Sequence, residues 1–306
     1  MSSHTLAGCP AHETVSRIAC DIHAYVRAAQ YVLMSGGFMT AQSDDGIGRV
    51  IAIALQKGGV GKTTTTINLA AELARLDMRV LVIDIDQQAH STSGLGITVG
   101  PDDPTAFEVL TDERGQRVPL LEAIQKTEFG VDIVPAALAL RQLEKGGLGP
   151  GGQLRLAKQL DDLTGYDVIF IDCPPALGAL TEAAMAAADD VLAVLEAGPD
   201  EVDALVRLGS AVADVQEGLN EALEIRYVLL ADYEGNTKTA QNVRAGLLQD
   251  WGAWSAGGAY LGEIPHTVRV REAKDKRVPI AVHAPTCSAA VAYRDAAVLL
   301  AERIRA

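Results

Sequence analysis

From position 49 onward the chain alternates between short apolar blocks and longer amphipathic ones. VIAIAL (50–55), RVLVIDID (79–86), VDIVPA (131–136), DVIFID (167–172), DVLAVLEA (190–197) and IRYVLLAD (225–232) are compact runs rich in Val, Ile and Leu. Continuous apolar runs of about four to eight residues between polar punctuation read as strands buried on both faces. Helical stretches lie between them: 62–76, LTEAAMAAA (180–188), EVDALVRLGSAVADVQEGL (201–219) and TAQNVRAGLLQDW (239–251). Such alternation predicts right-handed crossovers and an α/β fold, a doubly wound, mainly parallel sheet with helices on both faces. The Gly-rich KGGLGPGGQ (145–153) has no Lys-Ser/Thr behind it and reads as a flexible loop. No internal repeat is visible.

Residues 1–46 follow a different pattern. An amphipathic helix is predicted from about His12 to Met34, followed by Ser35-Gly36-Gly37 and the polar AQSDDGIG. That is too short for a winged-helix domain. It reads as a dispensable extension, flexible or a short helix, ahead of one domain over 47–306; Met34 and Met39 stand as alternative starts.

Composition narrows the class. The 306 residues suffice for one large α/β domain or two small ones, and 48% hydrophobic with only 4% aromatic implies a core of Ala, Val, Leu and Ile. No apolar run approaches the roughly 20 residues that span a bilayer. The start, MSSHTLAGCPAHETVSR, lacks the basic and apolar regions of a signal peptide, so a cytosolic protein is expected. Cys9, Cys20, Cys173 and Cys287 are scattered without a C-x-x-C pair, which points to reduced structural thiols rather than a zinc site or iron–sulfur cluster. The net charge of −14 repels nucleic acid, so any DNA role needs a local basic patch. The densest is RVREAKDKR (269–277).

The chemistry concentrates where strands end. LQKGGVGKTTTT (55–66) resembles the phosphate loop G-x-x-x-x-G-K-[ST]: Gly61, Lys62 and Thr63 fill its second half, while Gln56 occupies the first glycine position and Lys57 follows it. Lys57, Gly58, Gly59, Val60, Gly61, Lys62, Thr63 and Thr64 form the candidate cradle. Gly58, Gly59 and Gly61 let successive N–H groups face a phosphate, and the helix opening near Lys62 adds its positive end. Lys62 reaches the β- and γ-phosphates and the Thr63 hydroxyl coordinates Mg²⁺. Asp172 closes a hydrophobic strand, where a carboxylate holds Mg²⁺ through water. Asp84 and Asp86 close VLVIDID; alternation places both on one side, one to position water and the other to support the metal or the loop.

KGGVGKTTTTINLAAELA, DIDQQAHSTSGLG, YDVIFIDCPPALGALTEAAMAAAD and IPHTVRVREAKDKRVPIAVHAPTCSAAVAYRDAA, in that order, resemble the ParA/Soj chromosome and plasmid partition ATPases, P-loop NTPases of the deviant Walker A class. The resemblance covers about 49–305. It implies ATP and Mg²⁺ as cofactors, a homodimer with ATP, nonspecific DNA binding in that state, and weak hydrolysis stimulated by a ParB-like centromere-binding protein. It implies a cytoplasmic, nucleoid-associated protein with no membrane partner. By the same resemblance Lys57 is the lysine that reaches a partner's phosphates and Lys62 the one acting within its own subunit. Asp86 is the catalytic aspartate and Asp84 the one before it. Asp172 is the second Walker aspartate; Thr63, Asp86 and Asp172 form the metal set. Pro265 and Thr267 lie beside the adenine, and Arg269 with Arg271 contacts DNA.

Departures are visible. Asp86-Gln87-Gln88-Ala89-His90 stands where relatives read DPQGN, Thr267 replaces an Asn, and Asn236 stands where some relatives place a second DNA-contacting arginine. Two other roles within the superfamily remain: positioning of another cargo, and a MinD-like membrane cycle. The mixed charge of the closing AYRDAAVLLAERIRA fits a packed last helix better than a membrane-lying one. An iron-protein electron carrier of the same fold is excluded, because Cys173 in DCPP occupies the wrong place for a cluster ligand.

Overall fold

The computed structural model describes residues 48–198, 200–252 and 259–305; the extension expected over 1–46 lies outside them. The strands are β1 (Arg49–Ile53), β2 (Val80–Asp84), β3 (Gln125–Lys126), β4 (Val131–Val134), β5 (Val168–Asp172), β6 (Asp190–Leu195), β7 (Glu224–Tyr233) and β8 (Ala259–Pro265). They form one sheet in the order β3-β4-β2-β5-β1-β6-β7-β8. Every pairing is parallel except β3 with β4. The helices used below are α1 (Lys62–Ala74), α2 (His90–Gly94), α3 (Leu140–Gly146), α4 (Ala179–Ala187), α5 (Glu201–Gly218), α6 (Lys238–Trp251), α7 (Val268–Asp275) and α8 (Ser288–Arg305).

Burial explains the apolar blocks. All five residues of β2 and of β5 are buried. Ile51, Ile53, Val80, Val82, Val168, Phe170, Leu192 and Val194 share one core with α1 and α8. The alternate positions Ala52, Leu81, Ile83, Ile169, Ile171 and Ala193 are equally buried and point to the opposite face. Helices therefore cover both faces, as the alternation predicted. The low aromatic content has a packing counterpart. α8 buries Ala289, Ala290, Tyr293, Ala296, Ala297, Leu300, Ala301 and Ile304, at intervals of a helix turn, and packs on α1 and β8. Small residues let these helices approach closely, and Tyr293 Oη reaches Thr65 Oγ1 at 3.3 Å.

Three features differ from the sequence-based expectation. β3 is only two residues long, and β8 (AYLGEIP) is interrupted by Gly262 at φ 110° and by register shifts, so neither gave a clean apolar run. The segment 145–153 is not a flexible loop. Lys145 and Gly146 complete α3, Gly152 opens a 3₁₀ turn, Leu148 is buried, and Arg155 Nη1 binds the carbonyls of Leu148 and Leu110. β2 stops at Asp84, two residues before the end of the predicted strand. The expected reduced thiols stand for Cys173 and Cys287, which are unbridged; Cys9 and Cys20 lie outside the described residues. Among the described residues no helix is long and apolar enough to cross a membrane.

One side chain ties α1 to a distant part of the chain. Asn68 Nδ2 donates to the Thr64 carbonyl at 2.7 Å, and Asn68 Oδ1 accepts the N–H of Ile280 at 2.7 Å. Ile280 is fully buried, so Asn68→Ala strands its N–H without water. The variant is expected to lose about 1–3 kcal/mol, read as a lower urea midpoint at unchanged m-value.

Candidate functional site

β1 lies between β5 and β6, and the loop that leaves it turns at once into α1. Gly59 (φ 84°) and Gly61 (φ 89°) occupy the left-handed region. At Gly61 a Cβ would also stand 3.0 Å from that of Ala231 on β7. Val60, 1% exposed, pins the loop to the core. Gly61 caps α1 with backbone alone and no side-chain hydrogen bond, which leaves the first-turn N–H groups and the positive helix end for an anion. Lys62 is 6% exposed. Its ammonium donates to the carbonyls of Leu55 (3.1 Å) and Lys57 (2.9 Å), arching over the loop. Burial pulls its pKa below the ordinary lysine value, with the Asp172 carboxylate opposing.

Asp172 pairs in register with Ile53 on β1 and with Asp84 on β2. A row across three strands thus brings two carboxylates beside the phosphate loop. Asp172 accepts Ser91 Oγ at 2.7 Å, with Thr66 Oγ1 at 3.3 Å. Asp84 accepts Thr92 N (2.8 Å), Thr92 Oγ1 (2.7 Å) and Asp86 N (3.1 Å). Both are fully buried, and burial pushes both carboxyls above the usual carboxylate range. The charge of Asp172 adds to the rise at Asp84, while hydroxyl hydrogen bonds and Lys62 oppose it at Asp172.

This arrangement separates two residues that alternation had grouped. Asp84 spends its carboxylate on the turn that follows β2, and so clamps the loop that carries Asp86. Asp86 lies beyond the strand. It is 8% exposed, one of its oxygens accepts Gln88 N (2.9 Å), and its charge acts on Lys62. Ala89 takes φ 50° to start α2. A left-handed alanine costs about 1–2 kcal/mol, so this loop is held by its hydrogen bonds against local preference.

At the far end of the sheet, Pro265 closes β8, and His266 Nδ1 meets Asp232 Oδ1 at 2.7 Å. Thr267 was expected beside the base. Its hydroxyl caps α7, accepting Arg269 N at 3.3 Å. Arg269 and Arg271 are both exposed on α7, but Arg269 is paired with Glu272 at 2.7 Å, and Glu272 also meets His283 at 2.9 Å. The basic stretch is therefore partly neutralised from within. Asn236 is exposed, its amide 3.4 Å from Glu234.

A family model described as an AAA domain matches residues 48–225. The chromosome-partitioning ATPase Soj of Thermus thermophilus is 38% identical over 246 residues, 80% of this chain and 92% of that protein. The chromosome partitioning protein ParA of Caulobacter vibrioides is 37% identical over 250 residues, covering 80% and 91%. The chain belongs to the ParA/Soj family. Among solved structures, cobyrinic acid a,c-diamide synthase from Mycobacterium smegmatis with bound ADP and magnesium superimposes with a TM-score of 0.67 at 30% identity, over 83% of this chain and 94% of that one.

Within this ParA/Soj chain the structure brings together Lys62, Thr63, Asp86 and Asp172, and it sets Lys57 at the mouth of the loop. Lys57 does not project freely there. Its ammonium is bonded to Glu201 Oε1 and lies 3.4 Å from Glu196 Oε2. Sequence reasoning missed Glu201, Ser91, Thr92 and Thr66. The hydroxyls followed DIDQQA and the GKT motif in plain view, but nothing in spacing shows which carboxylate a Ser or Thr will reach.

Thr92 Oγ1 bridges two buried groups, donating to Asp84 and accepting Ala136 N at 2.9 Å. Thr92→Val keeps the shape and deletes both bonds. It is expected to lose about 2–4 kcal/mol in urea unfolding, whereas Thr92→Ser stays within about 1.5 kcal/mol of the parent.

Proposed function

We propose that this ParA/Soj-family chain is an Mg²⁺-dependent ATP hydrolase for chromosome or plasmid partition. It dimerises with ATP, binds duplex DNA without sequence preference as that dimer, and hydrolyses slowly until a ParB-like centromere-binding protein stimulates it and releases it from DNA. On this reading it works in the cytoplasm on the nucleoid, and residues 1–46 are dispensable for the cycle. The observation that carries the reading is the buried Lys62 ammonium over an uncapped helix start, in line with Asp172.

The donor set fits the cofactors. Thr63, Asp86 and Asp172 offer only oxygen, as a hard cation requires. The Thr63 hydroxyl favours the charged form of Asp172, and the hydroxyls of Ser91 and Thr66 on that carboxylate suit it to hold a metal through water. Mg²⁺ supplies neutralisation of the triphosphate charge. The first-turn N–H groups of α1 and the Lys62 ammonium bind the phosphate oxygens; to do so Lys62 exchanges two backbone carbonyls for phosphate. Asp86 orients the attacking water and accepts its proton, while Asp84 fixes the turn that carries Asp86. Lys57 reaches the phosphates of a second protomer. Pro265 walls the base. Two copies of α7, each with Arg269 and Arg271, give the dimer its contact with DNA phosphates. α8 commits its apolar face to α1 and β8, which supports partition over a MinD-like membrane cycle.

Three substitutions test this cycle. Lys62→Ala is expected to abolish ATP binding in isothermal titration, whereas Asp86→Ala binds ATP, accumulates as a dimer and hydrolyses about 10²-fold or more slowly; wild-type turnover in the latter moves the catalytic role elsewhere. Arg269→Glu is expected to lose ATP-dependent retardation of arbitrary duplex DNA while still dimerising. Retardation by the parent protein falls steeply with salt, and its absence at about 50 mM salt removes DNA as the matrix.

A further inference from the structure

Glu201 is the first residue of α5, yet its side chain is only 2% exposed. One oxygen binds the Lys57 ammonium; the other, Oε2, is buried with no hydrogen-bond partner among the described residues. Gly198 roofs the pair: a Cβ there would stand 3.4 Å from Glu201 Oε1 and 4.0 Å from Lys57 Nζ. Glu196 approaches from the same turn but is 35% exposed.

We propose that Glu201 is the intramolecular counter-ion of Lys57, a positioning residue that competes with a second protomer's phosphates for this ammonium and so sets the ATP concentration at which dimerisation begins. The proposal rests on the reading of Lys57 as the lysine that acts across the dimer.

The asymmetry of burial decides where the penalty falls. Lys57 is 31% exposed, so water can rehydrate it as it changes partners. Glu201 has no such recourse: once Lys57 leaves, a buried carboxylate with one oxygen already unpaired keeps no cation, and breaking a buried pair is far more unfavourable than breaking an exposed one. Glu196 is exposed enough for water to replace Lys57. The titration behaviour agrees with mutual dependence. Burial raises the Glu201 carboxyl above its ordinary range with the Lys57 bond opposing, and the Glu201 hydrogen bond is the main cause of the raised Lys57 pKa. Trans contact by Lys57 must therefore outweigh an internal bond, and the partner site does so only when that partner carries ATP.

The test uses the full chain in an Asp86→Ala background, so that ATP is not consumed. ATP is titrated while dimer fraction is read by multi-angle light scattering and monomer affinity by a fluorescent ATP analogue at low protein concentration. Glu201→Gln, which keeps the shape but not the charge, is expected to dimerise at about tenfold lower ATP with monomer affinity unchanged. Glu201→Met, which needs no counter-ion, is expected to shift the same way, and serves if the glutamine variant folds poorly. Glu196→Gln is expected to shift the midpoint less than about twofold. Lys57→Ala, alone or with Glu201→Gln, forms no dimer. If the Glu201 variants dimerise at the parent's ATP concentration or above it while Lys57→Ala still fails, the counter-ion proposal is overturned and the trans role of Lys57 stands. A Glu196→Gln shift as large as that of Glu201→Gln also overturns it. If Lys57→Ala dimerises normally, the trans role falls and the proposal falls with it.

Discussion

An ammonium and two carboxylates held out of water at the end of a parallel sheet are the constraint on which this structure depends. Lys62, Asp172 and Asp84 are all buried, and Asp172 and Asp84 are neighbours in register. Isolated, each would be prohibitive to bury, and the two carboxylates repel one another. The surroundings are arranged around that problem. Thr66 and Ser91 supply hydroxyls to Asp172; Thr92 and the Asp86 N–H serve Asp84; two loop carbonyls serve Lys62. The polar residues after GKT and after DIDQQA are thus the internal solvent of a charged site.

The same constraint accounts for the local strain. A loop that must deliver Thr92 to Asp84 and Gln88 N to Asp86 within a few residues cannot run on as strand, so β2 stops and Ala89 adopts a left-handed backbone. The start of α1 is treated differently: it is left without a side-chain cap. Stability is given up at the point where a phosphate supplies the missing partner, the expected pattern where binding and folding share one set of hydrogen bonds.

In this acidic protein of net charge −14, two cations on the surface of the site and of α7 are held by carboxylates. Lys57 is held by Glu201 and Glu196, and Arg269 by Glu272. Each pair keeps the cation in place while blunting its attraction for stray anions. On the proposed cycle a phosphate displaces a carboxylate before it binds either cation. The exposed Arg269–Glu272 pair yields readily and is screened by salt. The Lys57–Glu201 pair, with its carboxylate buried, does not.

Sequence by itself determined the architecture and the cradle. Parallel strands covered on both faces must be apolar throughout, so β1, β2, β4, β5, β6 and β7 are legible as runs, and GGVGKT followed by helix periodicity places the phosphate loop between β1 and α1. The resemblance to ParA/Soj rests on the same local signals taken in order. What tertiary structure alone decided concerns partners far apart in the chain. β8, interrupted by Gly262, and the fastened, glycine-rich 145–153 segment depend on pairing and burial that their sequences do not announce. That Asp84 clamps a turn while Asp86 is left beside Lys62 depends on where β2 ends. That Lys57 meets Glu201, 144 residues away, depends on β1 and β6 lying side by side. Periodicity fixes which face a residue occupies because that is a property of the local backbone. Which charge it meets is set by strand order and register, and those are written across the whole chain.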